Sequence, residues 1–273
     1  MGSGISLKTN ALSIDRIRRD LSTTKVGRHL YLFEEVPSTS QVLRTLANAG
    51  ALEGTVVLAE SQTMGRGRLG KVWYSPAEVN LYASILFRPS ITLEEVPGFS
   101  FLAGVALADA VREEGVEPAI KWPNDILVAR KKMAGTLVES ATVGNQVEYV
   151  ILGVGVNLNV GRDALLRTLG EAGMGATSLS EVAGREIDRN AFAARFLTML
   201  DQWYGIYLAK GPRVLLDAWR DRDIVTGRRV MVLGEREGYE GKALGVGPNG
   251  HLVVEEPRGS IRRVLSGEIR LLD

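Results

Sequence analysis

The chain has 273 residues, 45% of them hydrophobic, with 33 Lys and Arg against 32 Asp and Glu and no cysteine. This length is enough for one large domain, or a large and a small one, with a sizeable apolar core. The balanced charge excludes a global field that recruits nucleic acid or an anionic membrane, and the missing cysteine excludes disulfides, thiolate metal sites and a thiol nucleophile.

The Met1-Gly-Ser-Gly-Ile-Ser-Leu-Lys start lacks a charged segment followed by an apolar one, so no signal peptide is expected. No apolar run approaches the roughly 20 residues of a membrane span, and a soluble cytoplasmic protein is expected. The two histidines, His29 and His251, have no neighbours that suggest a hydrolase triad or a metal site. Both read as structural.

The first predicted helix spans 13–21, with Ile14, Ile17 and Leu21 at helical spacing and Ser13 as N-cap. One short helix before the strand expected over 29–33 is too little for an N-terminal helix-turn-helix reader of DNA. A second helix, 38–49, opens at Ser38-Thr39-Ser40 and turns Val42, Leu43 and Leu46 inward. A buried strand follows over 55–59, then the loop Gly65-Arg66-Gly67-Arg68-Leu69-Gly70, a strand over 80–87 and an Ala- and Leu-rich helix over 99–114.

Residues 119–159 read as a meander of three antiparallel strands, 120–129, 132–140 and 147–158, with the first turn at Arg130-Lys131. A two-residue turn there sets Ala129 opposite Lys132. It puts Lys121, Pro123 and Asp125 on one face with Lys132, Ala134 and Thr136. Helices are expected over 190–208 and 212–220. From Thr226 the pattern changes to short strands, 229–233, 243–246, 251–255 and 261–265, separated by glycine turns, which reads as a small β-barrel.

Three constellations carry chemistry. The loop from Gly65 to Gly70 matches G-x-G-x-x-G literally, but a dinucleotide fingerprint needs a helix opening at the loop, and Lys71-Val-Trp-Tyr-Ser-Pro followed by a strand stands there instead. The glycines make the loop mobile and Arg66 and Arg68 suit bidentate capture of phosphate or carboxylate; the alternative is a solvated basic turn. In Lys121-Trp122-Pro123-Asn124-Asp125 the proline interrupts the strand where a cation, an amide and a carboxylate emerge, with an ordinary bulge as the alternative. In Gly153-Val-Gly155-Val-Asn157-Leu-Asn159 the glycines alternate along one face, as if a flat ligand lay there, and packing against a helix explains them equally.

Taken in order, Ser38-Thr39-Ser40, Glu60-Ser61-Gln62-Thr63, the Gly65 to Gly70 loop, Lys121 to Ile126, Lys132-Met-Ala-Gly135-Thr-Leu-Val-Glu139 and Gly153 to Asn159 resemble the biotin protein ligase family. The segment from Gly227 through Gly267-Glu268 is similar to that family's SH3-like barrel. The resemblance implies an α+β fold: a mixed, largely antiparallel sheet with helices, like class II aminoacyl-tRNA synthetases, plus the small C-terminal SH3-like β-barrel. It implies a catalytic domain over 1–225 and the barrel over 226–273.

It further implies an ATP-dependent ligase that forms biotinyl-5′-adenylate and passes biotin to a lysine of a biotin carboxyl carrier protein or domain of a biotin-dependent carboxylase. Mg²⁺ is expected with the triphosphate, without assigned ligands. By the same resemblance Ser38, Thr39, Ser40 and Gln62 bind biotin, with Gly67 and Gly135 beside it. Arg66 and Arg68 close over the carboxylate and the phosphate, and Trp73, Asn124 and Asn157 contact the nucleotide. Lys132, supported by Lys121, stabilises charge in both steps, and Asp125 orients or deprotonates the acceptor lysine.

Two positions depart from the family pattern: Ser40 stands where Asn is common, and Thr136 where an aliphatic residue is usual. No nucleic-acid partner, membrane association or repressor function is implied, and monomer and homodimer stay open. A lipoate-protein ligase shares the adenylate logic, but the arginine loop and Lys-Trp-Pro-Asn-Asp favour biotin.

Overall fold

A computed structural model describes residues 10–233 and 238–272. The reading of the Met1 start falls outside them. In chain order the elements are α1 (Ile14–Asp20), β1 (His29–Val36), α2 (Thr39–Asn48), β2 (Thr55–Gln62), β3 (Leu81–Phe87), α3 (Gly98–Arg112), β4 (Pro118–Lys121), β5 (Asp125–Val128), β6 (Lys131–Val143) and β7 (Gln146–Val156). They continue with α4 (Arg162–Leu169), α5 (Glu171–Met174), α6 (Leu179–Ala183), α7 (Arg189–Lys210), α8 (Arg213–Arg220), β8 (Arg229–Leu233), β9 (Tyr239–Val246), β10 (Leu252–Glu255), β11 (Ile261–Val264) and β12 (Glu268–Leu271).

Strands β1 to β7 form one sheet in the order β1-β2-β3-β7-β6-β5-β4, with β1 and β2 parallel and every other pair antiparallel. Both faces are covered along β3, as the fully buried strand Leu81–Phe87 requires. Helix α3 is apolar around most of its circumference because it is enclosed between the sheet, α7 and α8. Helix α2 packs Leu43 and Ala47 on the opposite face, against Val57, Leu86 and Ile151. Its neighbouring face over β5, β6 and β7 lacks such a cover, and that gap holds the site.

A second sheet, ordered β11-β10-β9-β8-β12, follows, which makes the fold α+β with two antiparallel-rich sheets. Its apolar residues Val230, Val232, Leu252 and Ile269 belong to the same continuous core as α3 and β7. The strand Glu268–Leu271 was not expected: Glu-Ile-Arg-Leu alternates polar and apolar, but four residues are too short a run for the period to stand out. Helices α4 to α6 were not expected either, because only Leu165 and Leu179 in this stretch are buried as helix anchors.

The meander needs correction. Residues 120–129 are not one strand but the hairpin β4–β5, with Lys121 paired to Asp125. Pro123 has no N–H for a ladder, and Trp122 leaves the strand to donate its Nε1 to Gly250 O at 2.9 Å. The Trp122–Pro123 peptide is cis. The next turn is Ala129-Arg130, not Arg130-Lys131: φ is 47° and 62° at these residues, the double positive φ of a type I′ hairpin turn that matches the strand twist.

The register differs as well. Leu127 rather than Ala129 lies opposite Lys132, and Asp125 lies opposite Gly135, with a bulge between the two pairs. That extra residue places Lys132 and Gly135, three apart, on one face with Leu127 and Asp125. Pro123 and Thr136 do not share this face.

Asp201 on α7 ties down the chain before β1. Its carboxylate accepts from the N–H groups of Thr24 (2.7 Å), Lys25 (2.9 Å) and Val26 (2.8 Å) and from the Thr24 hydroxyl (3.1 Å). Burial pushes this carboxyl up, but the four hydrogen bonds together outweigh it and hold it below the usual aspartate range. A depressed carboxyl contributes stability that is full above its unfolded pKa and is lost as pH falls through the folded one. Asp201→Asn is therefore expected to lower the unfolding midpoint at neutral pH and to flatten its acid dependence below about pH 4. Parallel acid profiles of the two proteins would remove this role from Asp201.

No helix among the described residues is long and apolar enough to cross a membrane.

Candidate active site

A cleft of about 1080 Å³ opens between the uncovered part of the sheet, the glycine-arginine loop, α4–α5 and the edge of the second sheet. Its floor is the face of β5, β6 and β7 that carries Asp125, Gly135, Gly153 and Gly155. Every residue singled out for ligand contact or catalysis lines it: Ser38, Thr39, Ser40, Gln62, Arg66, Gly67, Arg68, Trp73, Lys121, Asn124, Asp125, Lys132, Gly135 and Asn157. Neither histidine does.

At one end the N-terminus of α2 meets the end of β2. Ser38 has the extended backbone of an N-cap but makes no capping bond with its side chain. Thr39 donates N–H and hydroxyl to Gln62 Oε1 at 2.9 and 3.2 Å, and Gln62 Nε2 donates to Ser75 Oγ at 3.0 Å. The hydroxyls of Thr39 and Ser40 both contact Ser84 Oγ, at 2.8 and 2.9 Å. Ser84, fully buried in β3, and Ser75 were missed by sequence reasoning. A lone serine in the apolar run Leu81–Phe87 is the signal that could have found the first.

The middle of the cleft is a charge cluster. Lys132 Nζ lies 2.6 Å from Asp125 Oδ1 and 5.4 Å from the centre of the Trp73 ring. Lys71, next to the glycine-arginine loop, is ion-paired with Glu268 of β12. Lys121 lies among them: burial lowers its ammonium pKa, Asp125 and Glu268 raise it, Lys132 and Lys71 lower it further, and the balance is below the ordinary lysine value. The hydrogen bond from Lys71, with the further pull of Lys121 and Lys132, holds the Glu268 carboxyl below its usual range. The C-terminal sheet thus contributes an acid to the cleft, and only the family resemblance drew notice to it.

The arginine loop is folded back on itself: Gly67 N–H donates to Lys71 O at 2.7 Å and Trp73 N–H to Gly65 O at 2.9 Å. Arg66 is held by Glu139 at 2.7 Å. Arg68 points inward, where burial lowers its pKa against the raising field of Asp125, and its guanidinium stays charged.

The flat object over the alternating glycines is part of the chain itself. A Cβ on Gly155 would sit 2.4 Å from the Trp73 indole, and one on Gly153 2.8 Å from Ser40 Oγ. The indole Nε1 is buried without a hydrogen-bond partner. Gly155→Ala is expected to force the ring off the sheet at about 1–3 kcal/mol, the usual scale of overpacking, read as a lowered thermal midpoint and a red-shifted tryptophan emission. Unchanged stability and emission would mean that the indole has room to move.

The two amides are already engaged. Asn124 Nδ2 donates to Thr136 O at 2.6 Å and Asn157 Nδ2 to Thr177 O at 3.1 Å, so each fixes a cleft wall. Thr136 is 3% exposed, faces the α3 side with Val154, and its hydroxyl has no partner. The wall of Leu165, Leu169, Ala172 and Met174 from α4–α5 was not foreseen.

Sequence profiles match two parts of the chain: the Biotin/lipoate A/B protein ligase family over residues 32–157 and the Biotin protein ligase C terminal domain over 225–272. The Bifunctional ligase/repressor BirA of Bacillus subtilis is 35% identical over 265 residues, 97% of this chain and 80% of that protein. The Biotin--[acetyl-CoA-carboxylase] ligase of Mycobacterium tuberculosis is 32% identical over 211 residues, 75% of this chain and 74% of that protein. Among solved structures, the biotin protein ligase from Aquifex aeolicus in complex with biotin and ATP superposes with a TM-score of 0.73 at 29% identity, over 89% of this chain and 98% of that one.

Proposed function

The chain belongs to the biotin protein ligase family, and on that premise we propose that its cleft joins biotin to ATP and then passes the biotinyl group to a lysine of a biotin carboxyl carrier domain. The single observation that carries this reading is the convergence of Arg68, Lys121 and Lys132 with Asp125 in one cleft beside the Ser38-Thr39-Ser40 hydroxyls. Acid activation by a nucleotide needs no nucleophilic side chain. It needs cations around a carboxylate and a phosphate that meet, and a dry polar cradle for the acid's other end.

In the first half-reaction the biotin carboxylate oxygen attacks the α-phosphorus of ATP, and the bond to pyrophosphate breaks. Ser38, Thr39, Ser40 and Gln62 hold the ring system, Gly135 and Gly67 permit close approach, and Arg66, Arg68 and Lys132, supported by Lys121, stabilise the added charge. Trp73, Asn124 and Asn157 act on the nucleotide through the cleft walls they form. In the second half-reaction the acceptor amine attacks the acyl carbon and AMP leaves. Asp125, freed when Lys132 turns to the ligand, takes the amine proton.

Among the described residues no group of three or more His, Asp or Glu could hold a metal ion. Asp125 and Glu268 are also engaged with lysines. The cleft therefore builds no metal cage. Mg²⁺ would arrive with the triphosphate and offset its charge.

The reading includes a catalytic unit over 1–225, an accessory unit over 226–273, a cytoplasmic location and action as monomer or homodimer, without a repressor role. Its test is transfer: the chain, biotin, ATP and a purified carrier domain should yield one carrier lysine heavier by one biotinyl group, and an unmodified carrier would refute it. Arg68→Gly should still make adenylate but release it roughly 10- to 100-fold faster, the worth of a charged hydrogen bond. Unaltered retention, followed with radiolabelled biotin on a desalting column, would remove Arg68 from the clamp.

A further inference from the structure

The carboxylate of Glu139 receives two guanidinium groups, Arg44 Nη2 on Oε1 at 2.5 Å and Arg66 Nη2 on Oε2 at 2.7 Å. The three residues come from β6, α2 and the glycine-arginine loop, so one acid joins the sheet to both parts that enclose the α2 end of the cleft. The Glu139 side chain is 22% exposed, with Arg44 and Arg66 at 41% and 39%, so the acid is the better shielded member of both pairs. Arg66 lines the cleft, whereas neither Glu139 nor Arg44 does. Any influence of Glu139 on a ligand must pass through Arg66.

A guanidinium has five N–H donors in a rigid fork. The bond to Glu139 uses Nη2 of Arg66 and leaves the Nε and Nη1 donors for an anion. A single carboxylate would also cancel the charge that an anion clamp requires. Two guanidiniums against one carboxylate leave a net charge of +1, so Arg44 restores what Glu139 would cancel. The glycines on either side of Arg66 make ordering costly, and a contact formed before the ligand arrives removes that cost from binding.

We infer that Glu139 is a positioning residue that latches Arg66 in its anion-binding pose, with Arg44 as the counter-charge. The consequence for catalysis rests on the ligase reading above, but the latch itself rests on geometry alone. Its test is amide hydrogen exchange of the unliganded protein and its Glu139→Gln variant. The loop amides of Gly67 and Trp73 should exchange about tenfold faster in the variant, the scale for one charge-assisted hydrogen bond, with α3 and α7 unchanged. Equal exchange over 64–73 would overturn the latch, whatever the activity.

A second measurement separates positioning from folding. In biotin-dependent pyrophosphate exchange, E139Q should raise the KM for biotin about tenfold with a smaller change in kcat, and should add nothing in an Arg66→Ala background. A further rise in that background would show that Glu139 acts other than through Arg66. Absence of exchange by the unmodified chain would instead remove the ligase reading, and the hydrogen-exchange comparison would still decide the latch.

Discussion

Lys132→Ala is expected to lower the rate of adenylate formation by about 10²-fold or more, the scale for removing one electrostatic stabiliser of a transition state. The side chain is poised for this. Its ammonium lies 2.6 Å from Asp125, over the Trp73 ring, with its stem against Gly135, where a Cβ would meet Lys132 Cε at 3.2 Å. The substitution would remove the cation and also leave Asp125 facing only Lys121 and Arg68, so transfer to the acceptor should fall as well. Quenched-flow measurement of adenylate in a single turnover separates the two steps. A rate within about threefold of the unmodified protein would remove Lys132 from the reacting centre, and Lys132→Arg should restore binding more than rate because a planar fork replaces a point charge.

The second large effect concerns stability. Arg189, at the start of α7, is fully buried. Its guanidinium donates to Glu60 at 2.7 and 3.2 Å, to Asn80 O at 3.0 Å and to Asn10 O at 2.8 and 3.0 Å, while Glu60 also accepts from Leu12 N–H at 2.7 Å. Arg189→Ala would leave the Glu60 carboxylate, 14% exposed at its side chain, with the Leu12 N–H but without its guanidinium partner, which costs about 3–5 kcal/mol in comparable buried pairs. Denaturant unfolding should show the lowered midpoint with an unchanged slope. Replacing both residues, as Arg189→Met with Glu60→Gln, should cost less than Arg189→Ala alone. A loss under about 1 kcal/mol for Arg189→Ala would mean that water reaches Glu60 readily.

Glu60 also shows what a motif can hide. It belongs to Glu60-Ser61-Gln62-Thr63, but only Gln62 of this set lines the cleft. Glu60 follows Val56 and Leu58 onto the α3 side of β2 and pairs with Arg189, whereas Gln62, the last residue of the strand, bonds Thr39 and enters the cleft. The residues that bind and the residues that hold them were adjacent in the motif, and sequence order alone does not separate them.

The helices at 14–20, 39–48, 98–112 and 189–210 were legible because each buries a helical stripe or is apolar throughout. The β4–β5 hairpin was not, since two four-residue strands around Trp-Pro-Asn read as one longer strand. Register was misread first because the turn falls at Ala129-Arg130, one residue earlier than expected, and then because a bulge inserts one residue without any compositional trace. The expected residues nevertheless line one cleft. The earlier turn moves Lys132 by two positions, from Ala129 to Leu127, which keeps it on the same face, so Lys121, Asp125 and Lys132 meet through a different pairing from the one predicted. The glycine face at 153 and 155 was recognised, but the indole of Trp73 comes from a loop some 80 residues earlier in the chain and could not be placed there by local pattern.

The central claim is that this cleft activates an acid with ATP. The most direct measurement is exchange of labelled pyrophosphate into ATP by the purified chain with Mg²⁺, run with biotin, with lipoate and with no acid. Exchange that depends on biotin alone is the predicted result. Exchange with lipoate but not biotin, or with neither, would contradict the claim.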